Sequence, residues 1–214
     1  MDALVALSER PPRFVGVGGP EMAARGLVSL FPMEEIALVG IDEIVRRLPF
    51  LLRRIRETAD AVVASAPDAL VIVDAPDFTH RVARRVRRAR PDLPVIDYVS
   101  PTVWAWRPGR ARAMARYVDL VLALLPFEPA VHRRLGGPPC VYVGHPALER
   151  LADARARRAA RETTPGTGAS PALLVLPGSR RQEIDRLLAH FGEAVALIAR
   201  ERPDLAVTIP AVDH

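Results

Sequence analysis

Short runs rich in Val, Ile and Leu alternate along this chain with longer stretches whose apolar residues recur at helical spacing, and this alternation restricts the fold most. The runs are residues 13–17, 69–73, 94–99, 120–124, 141–143, 172–176 and 206–209. They have little polar alternation, the pattern of strands covered on both faces. Residues 42–66, 78–89, 109–117, 128–135, 146–161 and 181–200 carry the helical pattern between them. Strand, helix and strand repeated in this order predict an α/β fold of doubly wound parallel sheets.

One shift in composition divides the pattern. Residues 162–171 (ETTPGTGASP) are polar and contain Pro and Gly, which predicts a linker. A first domain over 1–161 and the opening of a second over 172–214 follow. Two strands and one helix are too little to bury a core alone, so the second domain is expected to be incomplete. Residues 2–9 resemble the last turns of a helix feeding the first strand, with no strand ahead of them. Both ends are therefore expected to be cut.

Composition narrows the partners. With 50% hydrophobic and 26% charged residues the chain can pack a core and is not a disordered tail. Lys and Arg number 30 against 25 Asp and Glu, and the resulting +5 favours an anionic partner. Nucleic acid is excluded, because aromatics make up only 5% and no nucleic-acid-binding motif occurs. The single cysteine, Cys140, rules out an internal disulfide framework and a cysteine-based zinc site. No signal peptide opens the chain, and no apolar run reaches the roughly 20 residues that span a bilayer. A soluble, cytoplasmic protein is the expectation.

Several motifs can carry chemistry. In VIVDAPDF (71–78), Asp74 falls where a strand runs out, at the edge where parallel sheets bind ligands, and a carboxylate there can serve as general base. A turn-stabilising role is the alternative for Asp74, and Asp77 reads as a helix N-cap. In LVLPGSR (174–180), Gly178, Ser179 and Arg180 precede a helix whose first N–H groups suit a diphosphate. An ordinary helix capped by Ser179 fits the same residues. GVGGP (16–20) misses the spacing of a dinucleotide fingerprint and reads as a tight turn lining a cleft. In RRLPFLLRR (46–54), Arg46, Arg47 and Arg53 flank Leu48, Phe50, Leu51 and Leu52. Such a stretch can lie on a membrane, or it can pack its leucines inward with the arginines in water. Trp104 and Trp106 line a cleft or anchor a loop, and His145 reads as structural.

GVGGPEM, DAPDF, YVSPTVWAWR, LPFE, VGHP and LPGSRRQEI, in this order, closely resemble the lipid-A-disaccharide synthases, and the likeness spans residues 14–210. The resemblance implies a B-type glycosyltransferase fold of two Rossmann-like domains. It also implies a metal-free inverting transfer of 2,3-diacylglucosamine from UDP-2,3-diacylglucosamine to 2,3-diacylglucosamine 1-phosphate (lipid X), in lipopolysaccharide biosynthesis. Asp74 then matches the base, and Arg180, with Gly178 and Ser179, matches the donor-diphosphate contact. Residues 44–52 match a membrane-facing, acyl-accommodating region, implying a peripheral protein on the anionic cytoplasmic face of the inner membrane. An oligomer stays open. The family's G-E-A-S-G-D loop and most of its UDP-binding domain are missing, so the chain alone is expected to be inactive. A non-catalytic lipid-binding remnant and another UDP-sugar transferase or epimerase are the competing classes.

Overall fold

The computed structural model describes the backbone of residues 1–36, 41–162, 172–178 and 181–210, which falls into two compact units, Met1–Leu148 and Glu149–His214. In the first unit, helices α1 (Asp2–Leu7) and α2 (Pro20–Ala23) and a 3-10 turn (Met33–Glu35) precede α3 (Ile41–Ala64). Then β1 (Leu70–Val73), α4 (Pro76–Ala89), β2 (Val95–Tyr98), α5 (Gly109–Met114), β3 (Leu120–Ala123), α6 (Glu128–Leu135) and β4 (Cys140–Tyr142) alternate. Helix α7 (Ala147–Glu162) crosses the division between the units, and residues 163–171 of the expected linker lie outside the described residues. The second unit adds β5 (Ala172–Leu174), α8 (Arg181–Glu201) and β6 (Ala206–Thr208).

The α/β architecture with parallel sheets is as expected. Strands β1 to β4 form one all-parallel sheet in chain order, and β5 pairs in parallel with β6. Register places Ile72, Asp97, Val121 and Cys140 in one row across the larger sheet. Right-handed connections between strands taken in chain order bring each connecting helix to the same face. On that face Ile72, Val95 and Val121 pack against Ala83 of α4 and against Met114, Tyr117 and Val118. Helix α3 closes a second core, where Ile55, Ala59 and Val62 meet Phe78, Val82 and Val86 of α4 and Phe31. Each fully buried aliphatic side chain contributes roughly 1.5–3 kcal/mol. Val71, Val73 and Val141, on the opposite face, are exposed among the described residues.

Local chemistry sets the ends of the elements. Gly136, at φ +66°, closes α6 in the left-handed conformation that a side chain resists, and Gly137 N–H returns to the His132 carbonyl at 2.8 Å. Helix α4 stops before Pro91, which disfavours helical geometry in the residue ahead of it. Residues 13–17 do not form the expected strand. Only Gly16 bridges, in parallel, to Ser29, because Pro11 and Pro12 offer no donors and no described strand lies alongside to continue a ladder. In the second unit Leu187, Leu188, Leu197 and Ile198 of α8 stay exposed, as two strands and their flanking helices can cover little apolar surface.

Candidate active site at the carboxyl edge of the sheet

Strand β1 delivers the chain into a strained turn. Asp74 and Ala75 have φ of 48° and 44°, and Val99, just past β2, has 78°. Each such non-glycine residue costs on the order of 1–3 kcal/mol and persists only where its surroundings hold it. Here the Asp74 N–H donates to the Tyr98 carbonyl at 3.2 Å, continuing the ladder beyond the strand. The Thr79 hydroxyl reaches the carbonyls of Asp74 at 2.7 Å and Ala75 at 3.1 Å. Together these contacts fix the Asp74 backbone while its carboxylate stays exposed at the sheet edge. Asp77 is not the N-cap that its position suggested. The turn makes Ala75 the cap residue and places Asp77 inside the first helical turn, where it accepts from Arg110 Nη2 at 3.1 Å.

A buried polar layer lies one residue deeper. Asp97 is 1% exposed, and neither carboxylate oxygen has a hydrogen-bond partner among the described residues. Burial, with the nearby Asp74 charge, pushes its carboxyl up to about 7. His80 Nε2 lies 3.5 Å from Asp97 Oδ2, and His80 Nδ1 lies 3.1 Å from the Tyr117 hydroxyl. Burial, reinforced by Arg110 and Arg84, pulls His80 down to about 4. Near neutral pH the imidazole is therefore neutral, and the contact is not an ion pair.

Above this layer a cleft of about 430 Å³ opens between α4 and α5. Arg81, Arg84, Arg107 and Arg110 line it with Asp77 and His80. Sequence reasoning did not single out these four arginines. The available signal was Arg81 and Arg84 three apart on the face that carries Asp77 and His80, opposite a second arginine pair after the tryptophans.

The loop after β2 is anchored by residues other than its tryptophans. Trp104 and Trp106 are 45% and 61% exposed, with Trp104 edge-on to Phe127 at 5.4 Å and Arg107 stacked over Trp106 at 5.0 Å. Buried Val103 packs on Ala111 and Val131 instead. Ser100 Oγ donates to the Pro101 carbonyl and accepts from His132 Nε2 at 2.8 Å, and the buried His132 Nδ1 has no partner among the described residues. His145 Nδ1 accepts from the Ala147 N–H at 3.1 Å. Two glycines of GVGGP answer to packing: a Cβ on Gly18 would clash with Leu27 Cδ2, and one on Gly19 would lie 2.9 Å from Met33 Cε.

Of the residues expected at the donor diphosphate, Gly178 is described, in the second unit. Its φ is +109°, and a Cβ there would meet the Glu183 carboxylate at 2.6 Å, so glycine is required just before α8. Ser179 and Arg180 lie outside the described residues. In the expected membrane stretch the Arg46 and Arg47 side chains are also outside them. Leu48 and Leu52 are 42% and 45% exposed. Phe50 and Leu51 are half-buried, and Arg53 stacks on Phe50 at 5.3 Å while reaching Glu57 at 3.4 Å. Among the described residues no three His, Cys, Asp or Glu side chains are grouped to hold a metal.

Open parallel sheets bind ligands outside the carboxyl ends of their strands, so the fold and this edge define a Rossmann-like α/β protein with its candidate site there. Comparison with known sequences gives the family. A family model described as lipid-A-disaccharide synthetase matches residues 4–214, and the chain belongs to that family. The lipid-A-disaccharide synthase of Rhodopseudomonas palustris (strain HaA2) is 60% identical over 204 residues, covering 94% of this chain and 51% of that protein. The synthase of Nitrobacter hamburgensis is 59% identical over 202 residues, and that of Rhodospirillum centenum 50% over 212. The chain spans about half the length of the curated relatives it matches.

Proposed function

We propose that the protein is an inverting glycosyltransferase that joins UDP-2,3-diacylglucosamine to 2,3-diacylglucosamine 1-phosphate and forms the β(1′→6) disaccharide of lipid A. The Asp74 carboxylate takes the proton from the acceptor 6-hydroxyl as that oxygen attacks the donor anomeric carbon. The bond from that carbon to the diphosphate oxygen breaks on the opposite side, and UDP leaves with the electron pair. Gly178, Ser179 and Arg180 hold the departing diphosphate through backbone N–H groups and a guanidinium fork. The arginine-flanked 44–52 stretch faces the anionic cytoplasmic surface of the inner membrane, where both acylated substrates reside. The 214-residue chain alone does not turn over.

The observation that carries this reading is the exposed Asp74 carboxylate on a backbone held at φ 48° at the sheet edge, where strain is retained for a function. In a full-length form with both nucleotide-sugar and acceptor sites, Asp74→Ala and Asp74→Asn should lower kcat about 10²–10⁴-fold. Circular dichroism should stay unchanged, because the side chain is exposed at the sheet edge. Turnover of either variant within threefold of wild type would remove Asp74 as the base.

A further inference from the structure

The cleft between α4 and α5 collects more positive charge than a folding argument requires. Four guanidinium groups face about 430 Å³ of open space, and the one carboxylate among them, Asp77, is already engaged by Arg110. His80 adds no charge of its own near neutral pH. Arg84 is set by the Tyr117 hydroxyl at 3.2 Å and by stacking over its ring at 4.8 Å, which directs a rigid fork along the wall. Among the described residues Arg81 has no hydrogen-bond or ion-pair partner, and Arg107 only stacks on Trp106. Like charges held together repel, and among the described residues no carboxylate pairs with Arg81, Arg84 or Arg107. A ligand carrying two negative charges on closely spaced oxygens would do so, and guanidinium forks match that geometry in pairs.

We infer that this four-arginine cleft binds the phosphate monoester of a sugar 1-phosphate, and so holds the acceptor by its anomeric phosphate. Pro76 and Asp77 join the wall of the cleft to the turn that presents Asp74, three residues earlier. A sugar anchored here by phosphate extends its far end toward that carboxylate. The assignment rests on the glycosyltransferase reading for its ligand. It deepens that reading by separating two anion sites: the acceptor phosphate in the first unit, and the donor diphosphate ahead of α8 in the second.

The test is equilibrium binding of glucosamine 1-phosphate, glucosamine and UDP to the 214-residue chain by calorimetry. Glucosamine 1-phosphate should bind, with an affinity that falls as salt is raised, and glucosamine should not. The double variant Arg81→Gln/Arg107→Gln, at two exposed positions without hydrogen bonds, should weaken binding at least about tenfold, the scale of a lost charged hydrogen bond. Arg88→Gln, exposed near the end of α4 and away from the cleft, should leave it unchanged. Nε–H resonances of Arg81, Arg84, Arg107 and Arg110 in the unsubstituted chain should shift on titration, a readout independent of any variant. Equal affinity in wild type and double variant would overturn the inference, as would arginine shifts produced by UDP alone. So would tight, salt-sensitive binding to phosphatidylglycerol vesicles that is lost in the double variant while glucosamine 1-phosphate fails to bind. Loss of turnover in Asp74→Ala depends on none of these results, so the two readings fail separately.

Discussion

Replacing Asp97 with Asn should change how the stability of the first unit depends on pH. Asp97 has no hydrogen-bond partner among the described residues and is pushed from 3.8 to about 7, chiefly by burial and then by Asp74. Because its folded value is raised, the folded state keeps a proton that the unfolded chain releases. The resulting stability is present below about pH 4 and is lost as pH rises through about 7. Three units at about 1.4 kcal/mol each make this roughly 4 kcal/mol. The Asn variant carries its own cost for a buried amide, but that cost does not vary with pH. The difference in stability, variant minus wild type, should therefore climb by about 4 kcal/mol from pH 4 to pH 7. At about 2–4 °C per kcal/mol this is roughly 8–16 °C in Tm, read by calorimetric scans at half-unit steps.

His80 supplies an internal control of opposite sign. Its folded value is depressed from 6.5 to about 4, chiefly by burial, with Arg110 and Arg84 adding to it and Asp77 opposing. The stability it contributes is present above about pH 6.5 and is lost as pH falls through 4, about 3 kcal/mol in all. For His80→Gln the same difference should thus fall as pH rises from 4 to 6.5. Between those values the contributions of these two groups offset one another in the wild type. A flat difference for Asp97→Asn would refute the claim that a partnerless buried carboxyl is held protonated beneath the site.

Two further outcomes test the loop and the surface. Ser100→Ala removes the acceptor of the His132 Nε2 proton and leaves that donor buried, so it should destabilise by about 1–3 kcal/mol in urea melts. A loss under 0.3 kcal/mol would mean that Val103 alone anchors the loop. Leu48→Ser with Leu52→Ser removes two exposed apolar side chains beside Arg53 and should lower flotation with phosphatidylglycerol vesicles at least threefold, with the helix retained. Unchanged flotation would remove this stretch as the membrane contact.

How far the sequence could be read depended on the distance over which each feature is determined. Strand cores and helices followed from periodicity, because burial on a sheet or helix face imposes it residue by residue, and Asp74 was legible as the residue at which such a run ends. Residues 13–17 carried the same local signature without a strand forming, since a strand also needs a partner and proline ahead of it supplies no donor. The cap of α4 was misjudged because Asp74 and Ala75 adopt positive φ, a tertiary demand that overrides the preference for Asp at a cap. Asp97 and His80 lie on different elements, 17 residues apart in number, and only the row that sets Asp97 beside Ile72 and Val121 reveals its burial.

The arginine cleft was illegible for the same reason, and its chemistry follows from what lies beneath it. Arg81 and Arg84 come from α4, Arg107 and Arg110 from the loop and first turn of α5, and no sequence window holds all four. Arginine keeps its charge at any pH a protein survives. With His80 neutral down to about 4, the cationic groups facing the cleft among the described residues are the four guanidiniums, so its positive charge stays constant across the range in which a phosphate monoester takes its second negative charge. A titrating histidine in the wall would have made anion capture vary over that range. Burial, with Arg110 and Arg84 beside it, keeps that imidazole neutral and leaves the cleft a site of fixed charge.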